Sequence, residues 1–89
     1  MQYKTITLSL IQSHPTYHRR LKSNRRLMAA LDSYALELRD RHLAWADRLE
    51  AERPQDDPQS RRSAALELAL AEVERLIAVE ATAGETAEP

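Results

Sequence analysis

Residues 17–52 read YHRRLKSNRRLMAALDSYALELRDRHLAWADRLEAE, a stretch without glycine or proline, bounded by Pro15 and Pro54. Tyr17, Leu21, Asn24, Met28, Leu31, Ala35, Leu38, His42, Trp45 and Leu49 recur in alternating steps of three and four. That spacing keeps side chains on one face of an α-helix. The pattern predicts one long helix over about 16–52, roughly 54 Å end to end at ~1.5 Å per residue. Its apolar stripe is wider than a bare seam: Leu27 and Tyr34 lie beside it, and Leu36 and Leu43 on its other flank. A stripe of that width calls for more than one neighbouring helix.

The flanking segments supply two. Pro15 suits the first turn of a helix, where a missing N–H costs nothing. Residues 50–59, EAERPQDDPQ, are polar with two prolines and form a turn. Asp57 followed by Pro58 is a helix cap and a first-turn proline. A second helix over about 58–80 presents Leu66, Ala69, Leu70, Val73, Leu76 and Ile77 on one face. At the other end, Ile6, Leu8 and Leu10 alternate with Thr5, Thr7 and Ser9, a strand pattern. Tyr3, Ile6, Leu10 and Ile11 also share one helical face. A lone strand needs a partner that the rest of the chain does not offer, so a short N-terminal helix is the reading, with a strand as the alternative.

The fold class expected is therefore all-α: a long central helix packed by two shorter ones. Residues 1–80 form a single domain and 81–89 a disordered acidic tail with no apolar anchor. Eighty-nine residues without phenylalanine and with one tryptophan make a small core. Such a hairpin is marginal against its ordering entropy, and self-association is the simplest remedy.

Composition excludes several functions. The chain has no cysteine, so disulfides, thiolate metal sites and cysteine nucleophiles are absent together. Gly84 is its only glycine, which removes glycine-rich phosphate loops and two-residue hairpin turns. No apolar run approaches the ~20 residues that span a bilayer. The interrupted apolar N-terminus does not resemble a secretory leader, so the expected location is cytoplasmic.

Charge is uneven although the net is −1. Residues 1–48 hold nine Lys/Arg against four Asp/Glu, a net of +5, and residues 49–89 hold four against ten, a net of −6. The densest cluster is HRRLKSNRR, 18–26. Arg19, Arg20, Lys22, Arg25 and Arg26 are the candidate polyanion-binding residues. The plainer reading pairs them with the acidic helix of this chain or of a second copy.

No catalytic constellation emerges. His14 and His18 have the i, i+4 spacing of helical metal ligands, but Pro15 pushes His14 out of helical geometry, and no third ligand is near. His42 on the seam reads as a hydrogen-bonded packing residue. Asp56 and Asp57 are explained by capping. No catalytic residue, cofactor or metal is expected, and the chain is not read as an enzyme.

Two resemblances add to this. KTITLSL at 4–10 looks like the N-terminal strand of ribbon-helix-helix DNA-binding dimers, and SRRSAALELAL at 60–70 like that family's second helix. This resemblance implies a strand that reads DNA, yet the long helix intervenes where the family has a short one. YKTI at 3–6, RHLAWADRL at 41–49, DPQ at 57–59 and AALELALAEVE at 64–74 resemble short bacterial helical proteins of no assigned activity. The function expected is a small non-enzymatic interaction module, a homodimeric adaptor or accessory protein. Leu27, Tyr34, Leu36 and Leu43 would form its partner face. The alternative is a nucleic-acid-binding regulator using the cluster at 19–26.

Overall fold

The computed structural model describes residues 2–86, which fold into four helices: α1 Tyr3–Gln12, α2 Pro15–Ser23, α3 Leu27–Glu52 and α4 Pro58–Thr86. Helices α3 and α4 form an antiparallel hairpin with the most extensive contact in the molecule, and α1 packs next most closely, on α3. The result is a flat slab of 53 × 24 × 16 Å.

The expected all-α architecture holds, with a long helix packed by an N-terminal and a C-terminal helix. Its boundaries differ at one decisive place. The long helix does not run from 16 to 52; it is cut at Asn24–Arg26, so residues 15–23 become a separate helix. The cut is a Schellman turn: the Arg26 N–H donates to the Leu21 carbonyl at 2.8 Å, and the Arg25 N–H to the Lys22 carbonyl at 3.1 Å. Arg25 adopts φ 57°, the left-handed conformation that such turns require. Glycine is the usual occupant, because a Cβ there costs about 1–2 kcal/mol. The break shifts the helical phase, and Met28, expected on the seam, is 65% exposed.

Arg25→Gly should therefore raise stability by about 1 kcal/mol, whereas Arg25→Ala should not. Were residue 25 inside a continuous helix, glycine would instead cost about 1 kcal/mol. Urea midpoints at matched protein concentration distinguish the two signs.

Helix α1 settles the strand alternative: Lys4–Leu10 is helical, and the described residues contain no strand for it to pair with. Its buried side chains are Thr7 and Ile11. Thr7 is tolerated inside because its hydroxyl donates to the Tyr3 carbonyl at 2.7 Å. The helix sits on the middle of α3, with Lys4 Nζ 2.7 Å from Asp32. Tyr3 reaches further along, its hydroxyl sharing a hydrogen bond of 3.0 Å with His42 Nδ1. Pro15 opens α2, as its ring geometry suggested.

The α3–α4 turn follows its sequence signals. Asp57 caps α4 by accepting from the Ser60 N–H at 3.1 Å. Arg61 adds a tie that no motif announced, donating to the carbonyls of Arg53, Pro54 and Asp56. Helix α4 buries Ala65, Ala69, Val73, Ile77 and Ala81, an i, i+4 ridge, and the last four of these join Leu31 and Leu38 of α3 in one core cluster. It extends past the expected end at Glu80 to Thr86, so 81–86 of the segment expected to be disordered is helical, and Ala81 is in the core. Residues 87–89 of that segment lie outside the described residues.

Candidate interaction surfaces

Two surfaces stand out, and the packing beneath each explains why its side chains are available. The first is the outer face of α3. Its inward face is claimed by α4 and α1, and the polar contacts fix its rotation. Tyr34 turns toward α2, its hydroxyl 2.9 Å from that of Tyr17. Burial, then the Tyr17 hydroxyl, then the Glu80 charge push the Tyr34 phenol well above its ordinary pKa, so it stays a neutral hydrogen-bonding group. Trp45 Nε1 donates to Glu72 at 3.0 Å. Arg41 reaches the same carboxylate at 3.4 Å while bonding Glu37 at 2.9 Å. Glu37 chiefly raises the Arg41 pKa, so this link between α3 and α4 stays charged. A separate i, i+4 pair, Arg48–Glu52, closes the end of α3 at 2.9 Å.

With α3 held in that rotation, Leu36 is 53% and Leu43 50% exposed. They sit seven residues apart, two turns along one stripe. Leu27 and Tyr34, grouped with them by sequence, belong elsewhere: both are partly buried against the core of this chain. The four residues thus fall on two flanks, one filled from within and one facing out.

The second surface is the turn between α2 and α3. Arg20 is engaged internally, its guanidinium 5.1 Å above the Tyr17 ring and donating to the Glu80 carbonyl at 3.1 Å. Glu80, the residue at which α4 was expected to end, therefore already reaches the basic segment and covers part of it. Arg19, Lys22, Arg25 and Arg26 are exposed and form no ion pair among the described residues. Arg26 also stands at the N-terminus of α3, which has no side-chain cap and no acid in its first turn. The local field there is positive.

Sequence reasoning missed the acidic partners on α4. His14 Nε2 lies 2.9 Å from Glu74 Oε1, pinning the α1–α2 corner to α4, while Glu74 Oε2 is buried without a hydrogen-bond partner. His18 lies elsewhere on α2 and does not join this contact. No group of three potential metal ligands occurs among the described residues. No helix among them is long and apolar enough to cross a membrane. His42 is buried and hydrogen-bonded, the packing role its seam position suggested.

No family model, curated protein or solved structure matches this chain.

Proposed function

We propose that this protein is a small non-enzymatic helical interaction module, a homodimeric adaptor or accessory protein that works through the outer face of α3. The observation that carries this is the half-exposure of Leu36 and Leu43 on a helix whose opposite face is fully occupied. Apolar side chains on a rigid, two-sided helix are a common basis for helix-to-helix recognition. Rigid support comes from the Arg41–Glu72 and Trp45–Glu72 contacts, which hold α3 against α4 beneath that face.

The second reading is a nucleic-acid-binding regulator. It rests on four exposed, unpaired cations at one turn, Arg19, Lys22, Arg25 and Arg26. The ribbon-helix-helix comparison does not support it, because Lys4–Leu10 supplies no strand.

One experiment weighs both. Leu36→Glu together with Leu43→Glu should convert a dimer into a monomer on size exclusion with light scattering, with helical circular dichroism retained. An unchanged mass contradicts the α3 face. The same variant keeps all five cations of the basic segment, so tight, salt-sensitive retention of duplex DNA by it would move the function to the turn.

A further inference from the structure

The α3 face has an order of residues that bears on its occupant. Along it lie Asp32, Leu36, Arg39, Asp40, Leu43 and Asp47, all exposed. At 3.6 residues per turn they fall within about 100° of arc. Read inward from both ends, the sequence pairs Asp with Asp, Leu with Leu, and Arg with Asp. Resting on the interaction-module reading, we infer that the occupant is a second copy of this chain, α3 crossing α3 antiparallel about a two-fold axis between Arg39 and Asp40.

That axis makes the interface isologous, so each contact occurs twice. Leu36 meets Leu43 of the partner subunit. Arg39 meets Asp40 of the partner subunit. The outermost pair sets Asp32 toward Asp47 of the partner subunit, which would repel if both were bare. Here Asp32 is already bound by Lys4 Nζ at 2.7 Å. An ammonium has three donors, so Lys4 can bridge both carboxylates. The residue that neutralises the one unfavourable pair thus comes from α1, which the docking of α1 on α3 puts in place.

Shape agrees with charge. Between the start of α1 and α3 runs an open groove of about 410 Å³, lined by Tyr3, Lys4, Asp32, Ala35, Leu36 and Arg39. Ala35 leaves room at its base, and the groove flanks Leu36, where Leu43 of the partner subunit would seat. A foreign partner would need no such self-complementary order.

The test is a charge swap followed by sedimentation velocity over a concentration series. Arg39→Asp and Asp40→Arg each bring like charges together twice, and each should weaken dimerisation at least roughly tenfold. The double variant Arg39→Asp with Asp40→Arg restores opposite charges and should return to within about threefold of the parent. Both positions are exposed, so helical circular dichroism should be unchanged in all three variants. If the single variants dimerise like the parent, or the double variant fails to recover, this register is overturned. A loss of dimer in Leu36→Glu with Leu43→Glu would then still uphold the α3 face. A parent chain that is monomeric throughout overturns both.

Discussion

Leu38→Ala is expected to remove about 2–5 kcal/mol of stability, the range for truncating a fully buried leucine. Leu38 is completely buried, midway along α3 in the cluster that joins it to α1 and α4. A domain of this size has only about 4–13 kcal/mol in total, at ~0.05–0.15 kcal/mol per residue. The variant should therefore unfold at much lower urea, with an unfolding slope close to that of the parent. Leu68→Ala makes the control, since Leu68 is on the same hairpin but exposed, and its cost should stay well under 1 kcal/mol. Equal losses for the two leucines would mean that α3 and α4 do not meet through the face described.

Ile11→Ala is the second large effect, again about 2–5 kcal/mol. Helix α1 has ten residues, too few to be stable in isolation, so its helicity depends on docking. Ile11 is its fully buried anchor, at the end nearest the α1–α2 corner that His14 pins to Glu74. The loss should appear in hydrogen exchange as faster exchange across 6–12, ahead of the α3–α4 hairpin. A cost below about 0.5 kcal/mol, typical of surface changes, would show α1 to be peripheral. Because Lys4 belongs to α1, undocking would also strip Asp32 of its cation and weaken the inferred dimer.

Much of this architecture is legible in the sequence because its signals are local. Proline at 15 and the Asp57–Pro58 pair mark helix starts, and the Glu37–Arg41 and Arg48–Glu52 pairs fall where i, i+4 spacing puts them. The break at Asn24–Arg26 is not legible, for a physical reason. Its usual marker is a glycine in the left-handed position, and Arg25 occupies it instead. The energy that holds an arginine there comes from contacts far away in sequence: the Tyr17–Tyr34 hydroxyl pair, buried Leu21, and Arg20 on the Glu80 carbonyl. The apolar spacing of the sequence also runs on across the break, and Tyr17 and Leu21 are buried on α2 as they would be on one long helix, so nothing in the spacing marks the phase shift. The same turn divides the expected partner face. Without knowing where α2 folds back, Leu27 and Tyr34 look as available as Leu36 and Leu43. The groove beside Leu36 depends on where α1 docks, and no local pattern specifies that.

If the outer face of α3 joins two copies of this chain, as proposed, the unmodified protein must self-associate reversibly. Sedimentation equilibrium at physiological salt, from low to high micromolar concentration, should give a mass near twice 10.2 kDa that falls toward the monomer value on dilution. A mass of 10.2 kDa at every concentration would contradict it.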